Sequence, residues 1–423
     1  MEQQRHFLSG KTIVVAGAGV AGLSFAIALR KLWNEETFGP SPILRVFERD
    51  TEEVAIGREG FSLSLRSDNG AEGLQTLKKL GILDDMIKVS ITGLEHKGSF
   101  TLWDRGWNII MKVSPRLPQG LPVGSMRIAR DKMRKVLVDG FVRQAGGPDR
   151  IEWERWCVGV TNEQSGQLVV EINDGERVGC DLLIVADGAS SKIRTLLRPN
   201  DKLHFAGVSA IAGVSAWEHE PPEPIDQDWG MVISGTGTAL FASPVDNRRA
   251  VWSLSWRESQ PRRAVKFPKE QSEIDAILRE AKEKGSWLPP LWEDILQHTD
   301  TQTLWLMNAM DKPAFDHTAA DHGDRVIFIG DANHAVSPFA GAGANLALMD
   351  GLDLASSLLG TQNVQEAAHD FDGKALPRAK RILRMSHFTI NVAHAKGWMS
   401  LVYLWMLKLL YWLFMKKHVE MRT

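Results

Sequence analysis

Three glycines, Gly17, Gly19 and Gly22, stand as G-x-G-x-x-G within VVAGAGVAGLSFAIALR. That spacing suits a turn cradling a pyrophosphate. The first glycine permits the bend, the second lets the backbone approach the phosphates, and the third lets a helix pack closely on a strand. A helix opening at the turn adds free N–H groups and a positive dipole end. The next apolar run, ILRVFER, carries Glu48, an acid placed to accept both hydroxyls of an adenosine ribose. A carboxylate there repels a 2′-phosphate, so the tightly held ligand is expected to be FAD or NAD rather than NADP.

A distant stretch separates those two. In RVIFIGDANHAVSPFAGAGANLALMDGLDLA, residues 325–355, a strand ends at Asp331, a carboxylate suited to a sugar-like polyol. Pro338, Gly341 and Gly343 then form a turn that opens a second helix. Backbone N–H groups at that helix start can face the pyrimidine edge of an isoalloxazine ring and stabilise the negative charge of reduced flavin. An NAD enzyme has no use for this second cradle, so FAD is expected.

These residues need elements to hold them. KTIVVAG, AGLSFAIALRKL and ILRVFER read as a βαβ opening. Apolar residues between Ser125 and Gln144 recur at helical spacing and predict an amphipathic helix over that whole span. IEWERWCVGV with QLVVEIN, and DLLIVADG, read as strands. Residues 200–310 carry short strand-like runs broken by PPEP and SPVDNRR, a second, sheet-based domain. The expected fold is therefore α/β: a Rossmann-like (GR2-type) FAD-binding domain, an inserted β-sheet substrate domain, and a C-terminal helical segment. The expected divisions are 1–85, 115–199 and 316–360 for the FAD-binding domain, 86–114 and 200–315 for the substrate domain, and 361–423 for the terminal helices.

Composition narrows the partners. A formal charge of -2 with no basic block argues against nucleic acid. Cys157 and Cys180 offer neither a disulfide framework nor metal-ligand spacing. His317 and His322, five apart in a loop, do not match a helical zinc pair, and no metal is expected. The polar start MEQQRHFLSGK leaves no room for a signal peptide and implies the cytoplasmic side. Residues 398–415, WMSLVYLWMLKLLYWLFM, are almost wholly apolar. They either associate with a membrane, spanning or lying on it, or pack over the protein.

Taken together, the glycine turn with Glu48, Arg130 in RIARDKMRKVL, Asp187-Gly188 in ADGASSKIR, and Asp331 with PFAGAGAN resemble the class A flavoprotein monooxygenases related to p-hydroxybenzoate hydroxylase. GREGFSLSL and SMRIARDKMRKVL look closest to the tetracycline-inactivating and fungal secondary-metabolite branches. The resemblance implies that Glu48, with Arg49 nearby, holds the FAD ribose, and that Arg130 contacts the phosphate or ribityl region. It gives Asp331 the ribityl and pyrophosphate, Ala344 and Asn345 the pyrimidine edge, and Arg58 and Gly60 the flavin side of the pocket. Asp187 either contacts both FAD and NADPH or simply caps the next helix.

Activity follows from the same resemblance. NADPH or NADH docks transiently and reduces the flavin, O2 is captured as a C4a-hydroperoxide, and one oxygen passes to a small molecule in a site that excludes water. Arg58 and Pro338 are the candidates beside the reacting atoms. The pattern fails in the inserted sheet, where Ala212 stands near the arginine that fungal phenol hydroxylases carry. The only tyrosines are Tyr403 and Tyr411 in the terminal segment. Tyrosine-assisted deprotonation of a phenol is thus disfavoured. An electron-rich alkene, amine or indole alkaloid is the expected substrate. His334 and Arg194 read as structural, and Arg66 points either to the pocket or to solvent. A flavin reductase without oxygen insertion and a membrane-tethered flavin-binding scaffold are the competing readings.

Overall fold

A computed structural model describes residues 5–57, 62–68, 70–92, 98–113, 117–146, 149–163, 167–268, 270–317 and 325–420. The elements that matter here, in chain order, are β1 (Thr12–Ala16), α1 (Val20–Leu32), β2 (Ile43–Glu48), β3 (Ser62–Arg66), β4 (Phe100–Asp104), β5 (Ile109–Val113), β6 (Ser125–Ala129), α2 (Arg130–Gln144), β7 (Arg150–Trp153), β8 (Leu182–Val185) and α3 (Lys192–Leu197). They continue with β9 (His204–Ala216), β10 (Trp229–Ile233), β11 (Thr238–Pro244), β12 (Arg249–Arg257), β13 (Thr299–Asp311), β14 (Val326–Phe328), α4 (Gly343–Gly360), α5 (Val364–Ala393) and α6 (Trp398–Glu420).

The runs TIVVA, LLIV and VIF are apolar at nearly every position, as strands buried on both faces must be. They form the centre of a parallel sheet ordered β14-β8-β1-β2-β7. Helices α1 and α4 cover one face, with Ile13, Val15, Ile184 and Ile327 beneath Phe25 and Leu348. An antiparallel meander, Cys157–Asn162, Leu168–Ile172 and Arg177–Cys180, covers the other. Both cysteines are buried there as free thiols. The two helices approach closely because Gly351 has no side chain: a Cβ there would lie 2.4 Å from the Phe25 nitrogen.

An eight-stranded sheet forms the second body, in the order Val265–Lys266, β13, β9, β12, β11, β10, β4, β5. Alternation along each strand divides its faces. The outer face, with Ile211, Leu240, Trp252, Leu254 and Leu306, packs on helices Gln271–Lys284 and Leu291–Gln297. The inner face, with Ala212, Val214, Phe241 and Trp305, turns the opposite way.

One sequence expectation is corrected. Ser125–Ala129 is strand β6, not the first turn of the helix; the helix begins at Arg130. All five residues are buried, and β6 pairs antiparallel with β3 from Ser125↔Arg66 to Ala129↔Ser62. Period-two pairing outweighs a helical reading that rested only on the residues further along.

Candidate active site

The glycine turn is shaped as the spacing requires. Gly17 adopts φ +110°, and a Cβ there would stand 2.5 Å from the Ala186 carbonyl oxygen. At Gly22 a Cβ would stand 2.1 Å from the Gly17 oxygen, whereas at Gly19 it would meet nothing closer than 3.9 Å. Gly17 and Gly22 are therefore glycines for packing, and Gly19 is open to whatever approaches the turn. Glu48 closes the turn from β2. Its Oε2 accepts from the Ala18 N–H (3.0 Å) and from Arg134 Nη2 (2.6 Å), and its Oε1 accepts from the Asp50 N–H (3.2 Å). Three of about four acceptor positions are taken, which leaves room for one ribose hydroxyl rather than two. Arg49 is mostly exposed and, among the described residues, reaches Asp50 at 3.8 Å.

Across the cleft, Gly330 (φ +58°) ends the last parallel strand, and the buried side chains beneath it form a network. Asp350 accepts from the Gly330 N–H (2.8 Å), His334 and Arg378 Nη2 (2.8 Å), and Arg378 also donates to Asp353 (2.7 Å). Burial works against the Asp350 charge, but His334 and Arg378 hold its pKa down at about 2. Burial likewise opposes a charged His334, and Asp350 outweighs it, so that imidazole is shifted upward. Asp331 has an open side chain yet is ringed by protein, as a residue at the bottom of a cleft is. That surrounding protein pushes its pKa up, against the pull of His334 and Arg130. Arg130, exposed at the first turn of α2, is thus brought to the same cleft as Asp331.

Two further motif residues are engaged in support. Asp187 is pushed upward by burial, against hydrogen bonds from Ser191 and from the first N–H groups of α3; the Lys192 N–H donates to its Oδ2 at 3.1 Å. Arg194 is no simple ion-pair partner: it donates to the carbonyls of Ala189 and Ala332 (2.9 Å for the latter) and reaches Asp201 only at 3.9 Å. It staples the Asp187 turn to the Asp331 turn. Asn345 is fully buried, with Nδ2 donating to the Ser64 carbonyl (2.8 Å) and Oδ1 accepting from the Arg66 N–H (2.9 Å). Its side chain clamps α4 to β3, so only backbone N–H groups of Gly343, Ala344 and Asn345 are left for a ligand. Gly341 (φ +57°) precedes them with nothing within 4 Å of a Cβ position. Pro338 is exposed on the same turn. Arg58, Gly60 and His322 lie outside the described residues. His317 is occupied: Nδ1 bonds Asp372 (2.7 Å), and Nε2 accepts from the Phe328 N–H (2.9 Å). Arg66 donates to Asp68 (2.9 Å) and weakly to the Ala340 carbonyl (3.3 Å), at the edge of the turn.

Between this cleft and the inner sheet face lies an apolar wall. Ala212 is flanked on the sheet by Ser253 and Trp305. Phe241, Met231, Leu102 and Ile233 extend the face and pack with Phe339 of the Pro338 turn and with Val392, Tyr403, Leu404 and Leu407 of α5 and α6. One polar pair stands at its edge. His394 Nδ1 donates to the Ile390 carbonyl (2.8 Å), leaving Nε2 to accept from the Ser255 hydroxyl (2.9 Å). Burial lowers the His394 pKa to about 4. Its ring also meets Phe339 edge-on, 5.4 Å between centroids.

The chain matches the family model described as FAD binding domain over residues 11–386. It is 38% identical over 400 residues to the monooxygenase cfoF of Aspergillus candidus, covering 92% of this chain and 93% of the relative. The chain belongs to the FAD-dependent class A monooxygenases. The chloroplastic zeaxanthin epoxidase of Solanum lycopersicum is 27% identical over 350 residues, 82% of this chain but 48% of the longer relative. In fold, this monooxygenase resembles Klebsiella pneumoniae HpxO complexed with FAD and uric acid, with TM-score 0.74, 18% identity, and coverage of 95% and 94%.

FAD fits the residues present. The open side of Gly19, the N–H groups at two helix starts, and three buried polar atoms that have no partner among the described residues, Asp187 Oδ1, Arg134 Nε and His334 Nδ1, belong to the motif residues and their supports. Sequence reasoning missed Arg134. It lies one helical turn after Arg130 in RDKMR, and that i, i+4 repeat was the available signal. The terminal segment of the monooxygenase is corrected in one respect: no described helix is long and apolar enough to cross a membrane. One side of α6 instead packs toward the inner sheet face, while Trp398, Leu401, Trp405 and Trp412 lie exposed on the other, Trp405 at 67%.

Proposed function

We propose that this monooxygenase uses NAD(P)H and O2 to hydroxylate, epoxidise or N-oxidise an electron-rich small molecule, with indole-alkaloid-like compounds the leading class. The observation carrying this reading is the inner sheet face, where Ala212, Phe241, Met231, Met307 and Trp305 present no acid or base to a substrate. A substrate that must first lose a proton finds no partner among those five side chains, whereas an alkene, indole or amine needs none. The name of the epoxidase relative is consistent with an alkene acceptor.

When bound, FAD supplies the activation of O2; the chain supplies placement and dryness. Gly17, Gly19 and Gly22 would take the pyrophosphate, Glu48 with Arg134 a ribose hydroxyl, and Arg130 and Asp331 the phosphate and ribityl region. Backbone groups at Gly343, Ala344 and Asn345 would meet the pyrimidine edge. Asp187, with one free carboxylate oxygen, would serve the nicotinamide donor as well. Phe339 and the α6 side chains would keep water from the reacting atoms. The tryptophan-bearing face of α6, with Lys408 at its edge, would lie on a lipid surface. Co-flotation with phosphatidylcholine vesicles, lost in W405E/W412E, tests that part.

The deciding experiment is NADPH oxidation under air by the FAD-loaded enzyme with panels of indole alkaloids, phenols and prenylated compounds. A panel-stimulated rate with one atom of 18O from 18O2 in the product supports the proposal. Stimulated oxidation whose product carries no label would make the enzyme a flavin reductase or dehydrogenase.

A further inference from the structure

Arg127, in the middle of β6, is only 4% exposed and stands at the junction of the two bodies. Its partners are all neutral. Nε donates to the Ser243 hydroxyl (3.0 Å), Nη1 to the Ser64 hydroxyl (2.7 Å), and Nη2 to the Ser62 carbonyl (2.7 Å) and hydroxyl. Its guanidinium carbon lies 5.6 Å from the centre of the Phe241 ring on the inner sheet face. Among the described residues, no carboxylate pairs with it. Other buried or half-buried cations among the described residues have a carboxylate in closer reach: Arg378 pairs with Asp350, Arg30 with Asp149, and Lys312 with Asp201, while Arg194, spent mainly on carbonyls, still has Asp201 at 3.9 Å.

A buried cation without a counterion is costly, and three serines orient this one without neutralising it. Four of its five N–H bonds are spent, and one on Nη1 remains. A groove of about 250 Å³ opens near this strand, lined by Ala129, two residues along β6, and by Val214 and Val245, which cluster with Phe241; Arg127 lies behind that lining rather than in it. On its other side, Ser64, which accepts from Arg127, gives its carbonyl to Asn345 at the start of α4. Arg127 therefore stands between the flavin cradle and the substrate wall.

We propose that Arg127 anchors an anion site in this wall, and that the missing counter-charge is an anionic oxygen of the substrate or of the reduced cofactor. The assignment rests on the reading of the chain as a working FAD monooxygenase and adds a charge requirement to its otherwise apolar site. A planar guanidinium held by hydroxyls keeps its direction while leaving charge for the ligand.

The test uses FAD-loaded enzyme, wild type, R127Q and R127K, with two readouts: the midpoint potential of the bound flavin, and perturbation of flavin absorbance on titration with benzoate, competed by nitrate. If the cofactor supplies the anion, R127Q shifts the reduction equilibrium at least tenfold against reduction, about 30 mV for two electrons, and R127K shifts it less. If the substrate supplies it, the potential holds, benzoate affinity falls at least tenfold in R127Q, and R127K retains most of it. No change in either readout overturns the proposal. Glu59, three positions before Ser62 in sequence and outside the described residues, is tested by E59Q; a tenfold gain in benzoate affinity there would show an internal counterion and also overturn it. Should R127Q not accumulate, wild type and R127K decide, because an anion site demands a saturable benzoate response that nitrate competes away. A protein that binds no FAD defeats the functional reading itself; yellow protein indifferent to Arg127 defeats only this site.

Discussion

Gly19 and Gly22 differ in what a methyl group would meet, and that difference separates binding from folding. Gly19→Ala places a Cβ in open space, so the fold should hold while FAD affinity falls roughly tenfold or more, about 1.4 kcal/mol, read as loss of flavin from protein with an unchanged melting curve. Gly22→Ala drives a Cβ into the Gly17 oxygen at 2.1 Å and should cost several kcal/mol, of the order of overpacking or worse, read as insoluble or colourless protein. Asp350 gives a third case. Asp350→Asn keeps the shape but removes the charge that favours the His334 imidazolium and one of the two carboxylates that pair Arg378, and breaking such buried pairs costs about 3–5 kcal/mol; denaturant unfolding of the FAD-loaded protein should register it.

The elements show why some of this was legible in sequence and some was not. The glycine turn, Glu48 and the Pro338–Asn345 turn are local: their residues lie within one strand-turn-helix, and spacing alone reports them. Arg127 was hidden because residues 125–129 were read in the phase of the helix that follows, and only pairing with β3 reveals the strand. The role of Asn345 was hidden for a similar reason, since its clamp reaches a strand 279 residues away. Asn345→Ala should cost about 1–3 kcal/mol through two lost buried hydrogen bonds and loosen flavin binding with it. The terminal helix was legible as apolar, but not as wall and exposed face at once. Tyr403, one of the two tyrosines of the terminal segment, joins the cluster with Phe339 and Phe241. If no phenol takes part in proton transfer, Tyr403→Phe should leave the pH–rate profile unchanged; a displaced limb would contradict that.

For the molecule as a whole, one marked response to acidity should come through His394. Its folded pKa of about 4 lies below the ordinary 6.5, so the unfolded chain takes up the proton first and stability falls as pH drops from 6.5 toward 4. Between pH 7.5 and 4.5 that loss is about 2.5 kcal/mol, and His394→Gln should flatten this part of the urea-midpoint profile. The contribution of Asp350 has the opposite placement: it is present above 3.8 and is lost only as pH falls through about 2. The parallel sheet sets a further condition, on time rather than energy. β1 and α1 lie at the start of the chain, yet α4, which covers α1, follows some three hundred residues later, and the Ser24 hydroxyl reaches the Leu348 carbonyl across 324 positions. At ribosomal speeds the first half of the cradle waits roughly 20 s to a minute for the second. Nascent chains stalled before residue 343 should therefore hold no flavin, and released ones should. The cell must keep a glycine turn and half of a parallel sheet safe from other chains until its own last strand arrives.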